Sequence, residues 1–225
     1  MRKILIFFLL LLMTSAHAQV IKNHLDLFLG AQFGGPLPSK SIDSSSGNPL
    51  LSPQIGARLN IQIFQKSKLS FGISISQKGA SYQQHLKRDT LIDIGLGVVP
   101  SFYTANVVGE MKLLYIDVPV DFCYAISQKQ SIALGVASSI LISGYDRGTV
   151  SVSAGYGGFA DFKEPFNNYS SIRGIDFGGR FFYKFQFSKL FFTSIEVYRS
   201  FKGLYKNNEN NLYHTHMSIL FGFSF

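Results

Sequence analysis

The chain is poor in cysteine, in acidic residues and in long apolar runs, and each shortage excludes a class of protein. It has 225 residues and one cysteine, Cys123. A single cysteine excludes an intramolecular disulfide framework and the zinc-finger spacings that need several cysteines. After residue 18, no apolar run approaches the ~20 residues of a transmembrane helix. If this chain crosses a membrane, it must do so with strands.

Basic residues outnumber acidic ones by 21 to 13, which gives a formal net charge of +8. A basic balance can indicate nucleic-acid binding, but the chain has no basic amphipathic helix. Its basic residues occur in short turns and strands rather than in one patch. We therefore expect no nucleic-acid partner. Contact with anionic lipid headgroups, or simple solubility, is the better explanation of the charge.

The N-terminus has the pattern of an export signal. Arg2 and Lys3 form a positive n-region, residues 4–13 form an apolar h-region, and Ala16, His17 and Ala18 form a small-x-small cleavage site. The sequence therefore predicts a signal peptide over residues 1–18, cleaved after Ala18, and a single domain over residues 19–225. The alternative is a membrane anchor. Loss of Arg2 and Lys3 lowers the formal charge from +8 to +6.

The last segment, residues 213–225, alternates between apolar and polar positions and ends on an aromatic residue. Period-two alternation of this length predicts a strand whose two faces meet different surroundings. Leu220 is the one exception to the pattern. An aromatic-rich terminal strand of this kind is typical of outer-membrane β-barrels.

The same alternation recurs along the chain and predicts an all-β, eight-stranded, antiparallel, up-and-down transmembrane barrel. The predicted strands are residues 25–34, 53–64, 69–82, 112–125, 131–145, 175–187, 191–201 and 213–225. Short turns at residues 65–68, 127–129 and 188–189 alternate with longer loops at 35–52, 83–111, 146–174 and 202–212. Short periplasmic turns and long extracellular loops are the arrangement of outer-membrane barrels. The last strand is expected to pair with the first.

Alternation alone does not say which face points outward, because a soluble barrel would place its apolar face inside. The side-chain volume decides. An eight-stranded barrel has an interior just wide enough for side chains to fill, and the apolar face carries too many Phe, Ile, Leu, Tyr and Val residues to fit there. We therefore expect the apolar face to contact lipid and the face rich in Gly, Ser and Ala, with its scattered charges, to line the lumen.

Three segments resemble the PorT-like outer-membrane β-barrel proteins of Bacteroidetes. These are Gln77-Lys78-Gly79-Ala80 at the end of the third strand, the segment 114–120 (LYIDVPV) and the ending 219–225 (ILFGFSF). The resemblance implies a small barrel, and it suggests an association with secretion, because the family's namesake is similar to a component needed by the type IX secretion system. Many members carry the fold without an assigned role, and fold does not confer function.

Charged residues of both signs fall on the predicted inner face, where isolated charges are costly to bury. They are Arg58, Lys78, Asp117, Asp121, Asp176, Arg180, Lys184 and Glu196. A salt-bridge network that fills the barrel is the first interpretation, and a path for protons or solutes is the alternative. A porin-like channel does not fit a barrel this small. Pro119 predicts a bulge or an unpaired position in its strand.

No catalytic, cofactor or metal site is predicted. His214 and His216 share a face, but two histidines without a third ligand are weak evidence for a metal. Neither lies in the context of an activated nucleophile. Cys123 is expected to be a small packing residue in the lumen.

Two predicted loops could carry a specific function. Residues 91–108 are unusually apolar, and residues 148–168 contain four aromatic residues. Each could fold over the barrel, present a partner surface or simply extend the strands. The sequence favours a monomeric, non-enzymatic barrel in outer-membrane lipid with a structural or interaction role, its partners being envelope or secretion-system proteins. A rim enzyme acting on lipid or peptide, and a narrow transport or ligand-binding barrel, are the alternatives.

Overall fold

The computed structural model describes residues 23–38, 45–93, 98–154, 162–167, 169–206 and 212–225. The predicted signal peptide lies outside these residues. The strands are β1 (His24–Pro38), β2 (Ser45–Phe64), β3 (Ser67–Asp93), β4 (Val98–Ala125), β5 (Gln130–Ala154), β6 (Phe162–Asn167), β7 (Ile175–Gln186), β8 (Phe191–Ser200) and β9 (Leu212–Ser224), with one 3₁₀ turn at Tyr169–Ser171. Within the described residues, no helix is long and apolar enough to span a membrane.

Eight of these strands form a closed antiparallel ring in the order β1-β2-β3-β4-β5-β7-β8-β9, and β9 pairs with β1. The predicted pairing of the last strand with the first is confirmed, since Asp26 opposes Ser224 and Pro38 opposes Leu212. Within the ring itself, closure leaves no strand with a free edge. The short strand β6 is not part of the ring, because it pairs with residues 147–152 of β5.

The predicted orientation of the two faces is confirmed. Along β4, Val118, Val120 and Phe122 are exposed on the outside, whereas Asp121 and Cys123 between them are buried inside. The other ring strands follow the same rule, and on β9 the exposed outward residues are Met217, Ile219, Phe221, Phe223 and Phe225. The alternative of a soluble barrel with an apolar interior is therefore wrong.

The outward apolar residues form a belt of the height that a membrane requires. On β4 the belt runs from Leu114 to Tyr124, a span of ten residue steps. At ~3.3 Å per step and a tilt of ~40°, this span is ~25 Å high, which matches the apolar band of membrane barrels. The protein is thus a transmembrane β-barrel. We call the end with the tight turns and Phe225 the turn end, and the opposite end the loop end.

The strands at the loop end are longer than the sequence predicts. A loop was expected over residues 83–111, but β3 continues to Asp93 and β4 begins at Val98. Similarly, β5 continues to Ala154 where a loop was expected from residue 146. Above the belt neither face contacts lipid, so the hydropathy alternation fades although the backbone ladder continues. The extensions of β3, β4 and β5 together with β6 form a protruding sheet (residues 83–93, 98–108, 147–154 and 162–167).

Pro119 interrupts the ladder between β3 and β4. The pairing passes from Phe71↔Val120 to Ser74↔Asp117 without a change of register, and skips the two positions Gly72/Pro119 and Ile73/Val118. This confirms the predicted unpaired position, because proline has no N–H to donate. On its other side, Pro119 opposes Ala137 of β5.

Candidate functional site

The lumen is the first candidate site, because all eight charged residues predicted for it point into the barrel. Seven of them are buried, and the Lys184 side chain is 14% exposed. Seven of the eight also form ion pairs with one another or with Asp26. The eighth, Asp176, accepts a hydrogen bond of 2.9 Å from the Tyr198 hydroxyl.

The centre of the lumen holds two arginines and two carboxylates. Glu196 accepts hydrogen bonds from Arg58 and, at 2.9 Å, from Nη2 of Arg180. Arg180 also places Nε 3.2 Å from Oδ1 of Asp121. The four charges sum to zero, as expected for ions that are removed from water and must compensate each other.

Aromatic rings inside the barrel hold the Arg58 guanidinium from two sides. Its Cζ lies 4.5 Å from the ring centre of Phe28 and 4.7 Å from that of Phe182. Such cation–π contacts stabilise a desolvated cation. Because these phenylalanines point inward, away from the lipid, hydropathy alternation did not single them out as lumen residues.

A second group lies closer to the loop end, around Lys78. Its Nζ donates to Asp117 at 2.9 Å and to Ser139 at 2.8 Å, and Asp117 also accepts from the hydroxyls of Ser76 and Ser139. The same ammonium lies 4.6 Å from the ring centre of Tyr115. Sequence reasoning placed Lys78 and Asp117 here but missed the tyrosine.

The two histidines line this part of the lumen and are enclosed by aromatic side chains. The Tyr115 hydroxyl lies 3.2 Å from Nε2 of His214, which is 1% exposed. The His216 ring stacks on Tyr198 with ring centres 4.8 Å apart. Among the residues that the structure describes, no three His, Cys, Asp or Glu side chains are grouped in a way that could hold a metal ion.

A third group lies at the turn end, around an acidic residue that the sequence analysis did not select. Asp26 of β1 accepts hydrogen bonds from Lys184 at 2.6 Å, Asn60 at 2.9 Å and Ser224 at 2.5 Å. A signal for it existed, since Asp26 stands between Leu25 and Leu27 at an inward position of the alternating pattern.

Cys123 points inward and packs with Ala133 and Phe182.

These groups fill the middle of the barrel. A cavity of about 10 Å³ remains there, bordered by Lys78, Asp117, Arg180, Tyr198 and His216, among others. A water molecule needs roughly 10–15 Å³ measured in this way. Within the described residues, the middle of the lumen therefore has no room for a hydrated solute.

The loop end of the barrel is covered by a cap formed by residues 169–174 and 201–206. Ile172 and Leu204 of the cap are 3% exposed and pack on Met111, Leu113 and Tyr115. Ile172 also bridges to Tyr205. Loops were predicted here, but their packing into the mouth was not, because a few apolar residues between polar ones carry no periodic signal.

One carboxylate ties the cap to the barrel wall. Asp146 of β5 is fully buried and accepts hydrogen bonds from the hydroxyls of Tyr82 at 2.6 Å and Tyr205 at 2.7 Å. Burial, reinforced by the nearby Asp146 charge, raises the pKa of both tyrosines above the usual range. Both phenols therefore remain protonated donors to Asp146 at neutral pH.

A different type of ion pair lies on the outside, just above the belt. Lys112 and Glu110 of β4 are 2.6 Å apart, and both side chains are more than a third exposed. The hydrogen bond from Lys112 lowers the pKa of Glu110. This pair is in water and contributes little to the fold.

No model of a known protein family matches the sequence, and no curated protein sequence matches it. Solved structures with a similar fold are outer-membrane β-barrels. Ail, the attachment invasion locus protein of Yersinia pestis, is 10% identical, with a TM-score of 0.46 over 90% of this chain and 99% of that one. Neisserial surface protein A is also 10% identical, with a TM-score of 0.38 over 90% and 97%. The protease OmpT from Escherichia coli is 6% identical, with a TM-score of 0.33 over 94% and 99%.

Similarity at this level concerns the fold and says nothing about activity or partners. The closed ring, the apolar belt and the charged interior make this chain a small β-barrel of the outer-membrane type.

Proposed function

We propose that this protein is a non-enzymatic outer-membrane barrel that serves as an interaction module of the cell envelope. In this proposal the turn end faces the periplasm and the protruding sheet faces outward. The observation that carries the proposal is a pairing pattern: three ring strands continue beyond the belt as an ordered sheet. A barrel that only anchored itself would not need this extension.

The protruding sheet offers two strand edges to a partner. Pairing between β2 and β3 ends at Ser45↔Gln84, so in the described residues the rest of β3 pairs with β4 alone. At the opposite side, β6 pairs with β5 alone. Free strand edges present backbone donors and acceptors to which an extended segment of another protein can add. Proteins usually protect such edges, so exposed ones suit a binding role.

The filled barrel supports a scaffold role better than a transport role. Among the residues that the structure describes, the middle of the lumen has a cavity of about 10 Å³, which is too small for a solute to pass. The histidines that a rim enzyme would use are enclosed by Tyr115 and Tyr198 rather than open to a substrate. On this view they are structural residues of the lumen.

The partner class that we propose is an envelope protein, with secretion components as the first to test. The resemblance of Gln77-Lys78-Gly79-Ala80 and of the segments 114–120 and 219–225 to PorT-like proteins is the reason for this order. The resemblance does not specify which secretion component binds. The two open edges predict a partner that contributes an extended segment.

The test removes the outer part of the β3–β4 hairpin. Gln84 and Val107 are cross-strand partners, so replacing residues 85–106 by Asn-Gly closes the hairpin with a two-residue turn. Full-length and shortened proteins are cross-linked in intact cells and the captured envelope proteins are identified. We expect the full-length protein to capture specific partners that the shortened protein loses. Capture of the same proteins by both would contradict the role of the sheet.

A further inference from the structure

The turn end of the barrel contains a second cavity, which the interaction role does not use. Its volume is about 170 Å³. It lies inside the ring, below the filled part of the lumen, and Phe182 and Cys123 belong to its wall. We call it the basic vestibule and define it by Lys68, Lys129, Lys184, Lys189, Asp26 and Asn60, which all line it.

The four lysines reach the basic vestibule from different parts of the chain. Lys68 follows the β2–β3 turn, Lys129 lies in the β4–β5 connection, Lys184 is on β7 and Lys189 lies in the β7–β8 connection. In the sequence they are scattered over more than a hundred residues, which is why they do not form a recognisable patch. Closure of the ring brings them around one opening.

Positive charge in the basic vestibule exceeds negative charge. Among the described residues that line it, Asp26 is the one carboxylate. The Asp26 carboxylate already accepts hydrogen bonds from Lys184, Asn60 and Ser224. Within the described part of the chain, Lys68, Lys129 and Lys189 have no ion pair with a carboxylate. Three lysines without an ion-pair partner therefore line one concave space, and the one carboxylate in it is already paired with Lys184.

Solubility alone does not account for this arrangement. Lysines that serve only to keep a surface hydrated are free to point away from one another, and their mutual repulsion favours that. Lys66 is such a residue, since it belongs to the same turn region as Lys68 and is exposed without lining the cavity. Convergence of like charges on one concave space is the arrangement that concentrates an anion.

We propose that the basic vestibule binds a phosphate group. Lysine ammonium groups are common phosphate ligands. The volume of about 170 Å³ is more than ten times the roughly 10–15 Å³ that one water molecule needs in this measure, so the cavity has room for one phosphate with part of its hydration shell. The phosphate comes either from a free ion or small ester in the periplasm or from the headgroup of an anionic phospholipid at the rim.

The first experiment measures phosphate binding directly. Full-length protein is folded in a non-ionic detergent, and inorganic phosphate is titrated at constant, low ionic strength while binding is followed by calorimetry and phosphorus NMR. The variant Lys68→Gln/Lys129→Gln removes two of the free ammonium groups. Lys184 is retained, because its loss would leave Asp26 buried without a cation.

We expect saturable binding to the unaltered protein and a loss of affinity of about tenfold or more in the double variant, because charge-assisted contacts are among the strongest polar ones. The control Lys66→Gln removes one positive charge beside Lys68 without changing the lining of the cavity, and its affinity is expected to stay within about twofold of that of the unaltered protein. An unboiled gel shift like that of the unaltered protein checks that each variant is folded. Absence of saturable binding, or an equal loss in Lys66→Gln, overturns the proposal.

A second experiment distinguishes the two sources of phosphate. The protein is placed in vesicles of phosphatidylcholine alone or with phosphatidylglycerol, and the phosphate titration is repeated. A free ligand is indicated if inorganic phosphate binds equally in both. A lipid headgroup is indicated if phosphatidylglycerol blocks that binding, and if this lipid is less mobile beside the unaltered protein than beside Lys68→Gln/Lys129→Gln. If neither the binding of phosphate nor the binding of phosphatidylglycerol depends on these lysines, the basic vestibule is not a phosphate site.

Discussion

Arg58 on β2 and Glu196 on β8 form an ion pair through the middle of the barrel, although 138 residues separate them in the chain. Glu196 also binds Arg180 of β7, so one carboxylate bridges two buried guanidinium groups, and Asp121 supplies the second negative charge. This contact connects opposite parts of the ring that share no hydrogen-bond ladder. It therefore makes the lumen a structural core, in which electrostatic compensation takes the place of apolar packing.

Replacement of Glu196 tests this role. In Glu196→Gln both arginines remain buried and Asp121 is the one carboxylate of the group left to compensate them. Breaking a buried pair in this way costs ~3–5 kcal/mol. We expect a loss of that order in the free energy of unfolding, measured by urea titration in detergent or lipid vesicles. Glu110→Gln is the control, because its pair with Lys112 is solvent-exposed. Similar stability of the two variants would show that the lumen pairs do not hold the barrel together.

The cap predicts a dependence of stability on alkaline pH. The pKa of Tyr205 is raised by burial and by Asp146, whereas an unfolded tyrosine ionises near pH 10. The stabilisation linked to a raised pKa is complete below the unfolded value and is lost as the pH rises toward the folded one. We expect the protein to lose stability above about pH 10, and Tyr205→Phe to remove about 1 kcal/mol of that loss by pH 11.

The measurement compares unfolding free energies of the two proteins at pH 8 and pH 11. At pH 8 the variant should differ only by the missing hydrogen bond to Asp146, a loss of ~1 kcal/mol. Absorbance of ionised tyrosine gives an independent readout, because Tyr205→Phe should remove one late-titrating phenol. Parallel decreases in stability for both proteins would contradict the proposed link between Tyr205 and the alkaline transition.

The transmembrane part of the fold could be predicted from the sequence because it alternates between two unlike surroundings. Strand β4 is an example: the structure confirms that Val118, Val120 and Phe122 point outward and that Asp121 and Cys123 point inward. The same reasoning failed at the loop end. Beyond Tyr82 neither face of β3 contacts lipid. Hydrogen bonds therefore continue the strand without a hydropathy signal.

The interior was predicted in part for a related reason. Charged residues on an inward face are easily recognised, and all eight lie there. Inward aromatic residues are not recognised, because Phe28, Phe182 and Phe192 resemble lipid-facing residues in composition. Which charges pair depends on the stagger of the ring, which the sequence does not encode locally. The basic vestibule was missed because its lysines come together only when the barrel closes.

The protruding sheet is predicted to be dispensable for the barrel. Replacing residues 85–106 by Asn-Gly keeps the complete β2–β3 pairing, which ends at Ser45↔Gln84, and keeps the ring closed. Because the cost of closing a loop depends only weakly on its length, we expect the free energy of unfolding to change by less than about 1 kcal/mol. The unboiled protein should still migrate as a compact species in gels. Loss of that species would mean that the sheet is part of the folding unit.

The apolar belt gives a prediction that depends on depth in the membrane. Val118 lies at the middle of the belt on β4 and Val108 lies on the same strand in the protruding sheet, and they are 41% and 51% exposed. An outward arginine near the bilayer midplane costs ~2–4 kcal/mol, whereas one near or beyond the interface costs ~0–1 kcal/mol. We therefore expect Val118→Arg to destabilise the protein in lipid vesicles by the larger amount and Val108→Arg by the smaller. Since both substitutions add the same side chain to an exposed position of one strand, a difference between them reports the surrounding medium. Equal effects at the two sites would place the belt in water, and the transmembrane assignment would be wrong.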